Sequence, residues 1–280
     1  MDWLAVELME HDWNLHNLIR LIVSSQTYQQ SSDLSDSLKE RDPENRLLAR
    51  QTRFRLPAWM IRDAALSYSG LLNEAVGGPP VMPHQPNGVW QEIFMGRFTY
   101  LPSVGAAQYR RTIYAFWRRS SAPTFLFDSA QRRVCEVGRR QTNTPLQALT
   151  LLNDATGLEA ARMLGLHALN IDSAASERLN NLAERILGRS LVADELSTLQ
   201  TTLETVREGF KKSPGEAQRL IEVGDMPAGI LASGEFQASG ASAVDVADAA
   251  VEPPEIADEW ATWMTVASLL LNLDETITRE

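Results

Sequence analysis

The sequence is poor in the residues that most directly declare a chemistry. One cysteine, Cys135, stands in 280 residues. That excludes an intramolecular disulfide, a CxxCH haem attachment and any cysteine-built zinc or iron–sulfur site within the chain. Histidines are four and scattered: His11 and His16 lie five apart and so on different helix faces, His84 sits alone in a proline-rich stretch, and His167 falls at an expected helix end. None has the spacing of a ligand pair or a neighbouring carboxylate in sequence. HExxH, GxSxG, Walker and GxGxxG patterns are missing. No eighteen apolar residues follow one another, the densest stretch being Val266 to Leu271 with Ser268 inside it, so no membrane span is expected. The first ten residues lack the basic start, apolar run and small-residue cleavage site of a signal peptide. Period-2 alternation is nearly absent and no internal repeat is evident, which argues against a sheet or a solenoid.

What is present is an ordinary globular composition, 44% hydrophobic and 22% charged, with charge unevenly placed. Residues 1–96 carry net −4 and residues 154–280 net −13, whereas residues 97–140 hold nine arginines, no lysine and only Asp128 and Glu136, net +7. Arginine is favoured where planar, bidentate pairing with carboxylate, phosphate or sulfate is wanted. Two readings stay open: the island stitches the molecule together by pairing with its own surplus carboxylates, or it forms an anion-binding surface. Nucleic acid is not expected, because an overall charge of −10 opposes the basic footprint of such binders.

Helical periodicity dominates, and the fold class expected is mainly α: an irregular multi-helix domain with long ordered loops and little or no sheet. Between Asp12 and Gln26, Leu15, Leu18, Ile19 and Ile22 fall at i, i+3, i+4 and i+7, with Asp12 placed to cap, predicting a helix buried on one side. A second helix starts near Pro57, with Met60, Ala64, Tyr68, Leu71 and Leu72 on one face, and ends at Gly77-Gly78-Pro79-Pro80. Trp90, Phe94 and Phe98 are expected to pin an irregular segment, and Gln108 to Arg119 to form a helix with Tyr109, Ile113, Phe116 and Trp117 sharing a face. Thr144-Pro145-Leu146-Gln147 has the form of a helix start, with Thr144 as cap, Pro145 in the first turn and Gln147 able to close a capping box. That helix is expected to reach Leu152, with a continuation past Asn153 to Leu166. Ser176 to Leu187 and Ala193 to Phe210 give a helical pair, and residues 255–271 a last helix whose stripe of Ile256, Trp260, Trp263, Ala267, Leu270 and Leu271 should dock on the body. Residues 1–231 and 255–280 read as one helical domain, interrupted by a flexible loop at 232–254 rich in Ala, Ser, Gly and Asp.

Several ordered blocks carry a resemblance. Arg139-Arg140-Gln141-Thr142-Asn143-Thr144-Pro145-Leu146-Gln147-Ala148-Leu149, followed by Leu151-Leu152-Asn153-Asp154, closely resembles a signature of the planctomycete-specific domain family known as domain of unknown function 1553. Trp13 to Ser32, Arg41-Asp42-Pro43-Glu44-Asn45-Arg46 with Arg53-Phe54-Arg55-Leu56, Tyr114 to Arg118, Phe127-Asp128 before Cys135, and Leu269 to Glu280 match further blocks of it. The resemblance implies a place in long exported chains, periplasmic or at the cell surface, in which a related domain and often a c-type cytochrome domain precede this one. Relative to that family the chain is expected to be N-terminally truncated, opening at Asp2-Trp3-Leu4-Ala5-Val6-Glu7. Haem c would then belong to the upstream region, with no cofactor and no metal in this segment, and the upstream domains would be its partners.

Candidate residues follow from both lines. Arg110, Arg118, Arg132, Arg139 and Arg140 could clamp an anion such as a sulfated or carboxylated polysaccharide. Asp128, Cys135, Asn143, Thr144 and Asp154 fall in the signature blocks. Cys135, flanked by Arg132, Arg133, Arg139 and Arg140, is either a lowered-pKa thiol or a buried structural one. Asp63, Asp128, Asp154 and Asp274 are expected to pair with the island arginines, and Asn143 and Thr142 to organise the helix start. Two functions remain: a non-catalytic helical packing and interaction module, or a domain that binds or degrades an anionic polysaccharide.

Overall fold

The computed structural model describes residues 2–86, 88, 90, 99–118, 127–128, 142–224 and 257–279. These fold into a mainly α structure. The expected loop at 232–254 lies outside the described residues. The chain divides into two compact units, Met1–Arg55 with Thr278–Glu280, and Leu56–Ile277.

The first unit comprises α1 (Asp2–Glu10), α2 (Leu15–Val23), α3 (Asp36–Arg41) and a two-residue antiparallel pairing of β1 (Phe54–Arg55) with β2 (Thr278–Arg279). Asp12 and Trp13 adopt left-handed backbone, φ 53° and 59°, which breaks the chain before α2. Asn14 replaces Asp12 as its cap, its side chain accepting from Asn17 N at 3.1 Å. The expected buried face of α2 is not found: none of its residues is buried, and Leu15, Ile19 and Ile22 are 57, 48 and 38% exposed. Polar bonds hold the unit instead. The buried Asp42 carboxylate accepts from the backbone N–H groups of Arg46 and Leu47 at 2.8 and 2.7 Å. Asn45 Nδ2 donates to Arg50 O at 2.7 Å, and the Arg50 guanidinium donates to the carbonyls of Asp42 and Pro43 at 3.1 and 2.9 Å.

The second unit has a continuous apolar core. Its helices are α4 (Ala58–Ser69), α5 (Pro145–Asn153), α6 (Ala155–Leu169), α7 (Ala175–Leu187), α8 (Ala193–Lys212), α9 (Pro214–Ile221), α10 (Ala257–Leu271) and α11 (Asp274–Ile277). At the centre lies α10, packed against α6, α8 and α9. Ile256 of the expected stripe lies outside the described residues, and the rest of the stripe is only part of the buried surface of this helix: Ala261, Thr262, Met264 and Val266 are also buried, so burial extends around most of it. Trp260 anchors it by donating from Nε1 to Arg162 O at 2.9 Å. Small residues on α6 allow close crossing. A Cβ on Gly165 would stand 2.7 Å from the Met264 backbone nitrogen.

Local signals explain the remaining boundaries. Gly70, in left-handed backbone at φ 78°, ends α4 and receives its capping role well before the Gly77-Gly78 run. Its buried face is Ala58, Ile61, Arg62, Leu66 and Ser69, with Met60 exposed. Asp154, in extended backbone at φ −66°, ψ 130°, ends α5 and caps α6 through Thr156 N at 3.0 Å, so the expected continuous helix is two. Thr144 caps α5 as expected, accepting from Gln147 N at 3.3 Å. The expected helix over 108–119 is not found in the described part. Two 3-10 turns, Gly105–Tyr109 and Thr112–Tyr114, stand there, and Ile113 is exposed. Here the backbone makes non-helical bonds: Asn73 N donates to Tyr109 O, Val81 N to Tyr114 O and Phe116 N to Val81 O, at 2.9, 2.9 and 2.7 Å. Trp90 is buried and stacks on Tyr100 and Phe116 with ring centroids 5.0 and 6.0 Å apart. Phe94 and Phe98 lie outside the described residues.

Candidate functional site

Arg62 and Asp63 are the only charged residues of α4, and both turn to the segment that failed to become helical. The buried Arg62 guanidinium donates from Nη1 to Arg110 O at 3.0 Å and Thr112 Oγ1 at 3.1 Å, and from Nη2 to Gln108 O at 2.7 Å. Asp63 Oδ1 accepts from Thr112 N at 2.8 Å and Thr112 Oγ1 at 2.6 Å, and stands 3.7 Å from Arg62 Nη1. A helix would use these carbonyls itself; the guanidinium takes them instead. Burial pushes the Arg62 pKa below its ordinary value, and the neighbouring charges of Asp63, Asp154 and Glu159 oppose that. A second buried acid, Glu159, accepts from Tyr109 OH at 3.0 Å.

A narrow cleft of about 50 Å³ opens beside this cluster, lined by Arg62, Tyr68, Asp154, Asn272 and Thr276 with apolar walls from α4 and Leu271. Desolvation raises the Asp154 carboxyl above the usual carboxylate range; Arg62, the N–H groups of Thr156 and Gly157, and His84 pull the other way. Asn272 Oδ1 is buried without a hydrogen-bond partner. The volume suits one or a few water molecules, since metabolite pockets run to about 300 Å³ and more. Among the described residues no group of three or more His, Cys, Asp or Glu side chains could hold a metal ion. Chemically the cluster is a hydrogen-bonded polar core with one acidic edge, in which the Thr112 hydroxyl is bonded to the Asp63 carboxylate.

The signature residues form a separate node. Asp128, in left-handed backbone at φ 60°, accepts from Thr142 N at 2.7 Å, from Thr142 Oγ1 at 2.9 Å and from Gln147 Nε2 at 3.2 Å. Gln147 Nε2 also donates to Thr142 Oγ1 at 2.8 Å. Gln147 therefore faces inward on Asp128 and Thr142, and the expected capping box is replaced by this node, while Leu146, Leu149 and Leu152 are exposed. Asn143 and Thr144 are exposed, Thr144 serving as the helix cap.

Of the candidate anion clamp, Arg110 is buried and committed to the 75–79 loop: Nη1 donates to Pro79 O at 3.1 Å, Nη2 to Ala75 O at 2.9 Å and to Gly77 O, and its guanidinium stacks 3.9 Å over the Tyr114 ring. Among the described residues its hydrogen-bond partners are carbonyls and not the chain's carboxylates. Arg118 is exposed. Arg132, Arg133, Arg139, Arg140 and Cys135 lie outside the described residues. The structure thus commits the Arg110 guanidinium to the 75–79 carbonyls and brings Asp154 toward Arg62. Sequence reasoning missed Arg62, Tyr109 and Glu159; the available signal was an Arg-Asp pair inside an otherwise uncharged twelve-residue helix.

The described residues define a mainly α protein with a polar, water-sized cleft. A family model described as PSD1, protein of unknown function (DUF1553), matches residues 1–203, and the chain belongs to that family. No curated protein and no solved structure matches it. No described helix is long and apolar enough to cross a membrane.

Proposed function

We propose that the chain is a non-catalytic helical packing and interaction module. One observation supports this above the others: the amphipathic helix α2 leaves Leu15, Ile19 and Ile22 exposed, and Trp3, Met9 and Trp13 nearby in sequence are 62, 50 and 70% exposed. Two nine-residue helices are too short to be stable in water on their own propensity, and so large an apolar surface is the signature of a surface meant to be covered. The partner is another polypeptide surface, in keeping with the upstream domains that the family resemblance implies. The module acts in the exported, cytochrome-associated setting of that resemblance, periplasmic or at the cell surface, with haem c carried by the partner region and no cofactor of its own.

The alternative, polysaccharide binding by the arginine island, loses Arg110 to the 75–79 carbonyls. The test uses an environment-sensitive dye that lights up on apolar surfaces. The 280-residue protein is expected to bind it, and Leu15→Ser with Ile19→Ser to remove most of the signal while the main thermal transition stays in place. Equal dye binding by the double variant overturns the reading.

A further inference from the structure

Resting on that reading, we propose that the α1–α2 face docks a polypeptide surface whose apolar contact is rimmed by basic side chains. From Asp2 to Val23 the chain carries four carboxylates, Asp2, Glu7, Glu10 and Asp12, against the single guanidinium of Arg20. Asp2, Glu10 and Asp12 are exposed; Glu7 is half-buried and sits 3.4 Å from His11 Nδ1. The apolar anchors Leu15, Ile19 and Ile22 recur at i, i+4 and i+7, the spacing by which a helix face meets a complementary apolar surface. The Asp2–Val23 segment that carries this apolar face is net −3, and charges beside an apolar contact select partners by complementarity more than they add affinity.

The sign discriminates among occupants. A second copy laid face to face brings four carboxylates against four, with one arginine from each side to offset them, and like charges across an interface are penalised. An anionic lipid surface is repelled for the same reason. A basic-rimmed helix or helix pair meets both requirements, covering the leucine and isoleucine side chains while its lysines or arginines reach Glu10 and Asp12.

The experiment uses the 280-residue chain and four labelled probes: an eighteen-residue amphipathic helix of Leu and Lys, its Leu and Glu counterpart, a scrambled Leu and Lys peptide without an apolar stripe, and vesicles rich in phosphatidylglycerol. Fluorescence anisotropy is expected to show the Leu–Lys helix binding at least tenfold tighter than the Leu–Glu helix, weakening as salt rises. Ile19→Ser is expected to abolish that binding, and Glu10→Gln with Asp12→Asn to remove most of the preference. Circular dichroism confirms that these exposed-site variants keep their helix content. Equal binding of both helices, still lost in Ile19→Ser, overturns the basic rim and leaves the docking face standing. Binding of the scrambled peptide as tight as that of the stripe-bearing one overturns it as general attraction to an acidic protein. Self-association by sedimentation that Ile19→Ser removes, or vesicle binding, assigns the face to a second copy or to lipid and overturns the proposal. Failure of both helices overturns the docking reading as well.

Discussion

The two units use their side chains in opposite ways. Leu56–Ile277 has a continuous core of apolar side chains, with buried polar groups bonded around it, as at Trp260, Arg62 and Glu159. In Met1–Arg55 no described apolar side chain is buried, and the one buried residue among those described is charged, Asp42. The first arrangement is stable through area removed from water. The second is held by hydrogen bonds that net only about 1 kcal/mol each, so its order depends on what covers it. The contrast teaches that the same helical periodicity can encode a core in one part of a chain and a contact surface in another.

The sharpest way to break this comparison is to attack the core. Trp260→Ala removes a buried indole from the centre and its bond to Arg162 O; a loss of about 3–5 kcal/mol is expected, read as a fall in the main denaturation midpoint. A loss under about 1 kcal/mol would mean that α10 is not the organising helix. Next in size is Arg62→Met. It empties three acceptors of a buried guanidinium, and removing one partner of such a buried charged group costs about 3 kcal/mol. It should also release the 105–118 segment, seen as faster proteolysis there. Against these, Ile19→Ser in the first unit is expected to shift the same midpoint by no more than about 0.5 kcal/mol. A large shift would erase the distinction between the units.

A smaller effect is set by pH. Arg189 is bonded twice over, to Glu195 at 2.8 and 2.9 Å and to Glu275 at 2.8 and 2.6 Å. The Arg189 guanidinium, then the Val192 N–H, hold Glu195 at a pKa of about 2, below the ordinary 4.5. A depressed folded-state pKa contributes stability that is complete above the ordinary value and lost as pH falls toward 2. Both side chains are more than a third exposed, so solvent screening limits the contribution to about 1 kcal/mol or less. Arg189→Gln should flatten the acid limb of the stability curve between pH 4.5 and 2 by that amount. An unchanged limb would show that the network is fully screened.

Much of this architecture was legible in the sequence because it depends on neighbours along the chain. Thr144 before Pro145 and the apolar spacing within Ser176–Leu187 and Ala193–Phe210 are local signals, and those elements stand where periodicity puts them, to within two residues at each end. Illegible were features set by distant partners. Nothing within 108–119 announces that Arg62, 46 residues earlier, will take the Gln108 carbonyl. Gln147 looked like a capping-box residue because Asp128, nineteen positions away, was invisible as its competitor. The same limit hid the site: a guanidinium within an apolar helix looks like an interruption until its acceptors are in view. On α2 the failure had another cause, since periodicity reports an apolar face without saying what covers it.

Asp154 gives the finest test of how the second unit treats buried charge. Its raised pKa means that ionisation is harder in the folded than in the unfolded chain, so stability falls as pH rises through the ordinary value near 3.8 toward the folded one. Asn caps helices as well as Asp does, so Asp154→Asn keeps the bond to Thr156 N while removing the desolvated charge. The variant is therefore expected to match the wild type at pH 3 and to equal or exceed it by a few tenths of a kcal/mol at pH 7. If it is instead weaker at pH 7, the attraction to Arg62 and His84 outweighs desolvation, and the cleft holds its carboxylate charged for a reason that packing alone does not supply.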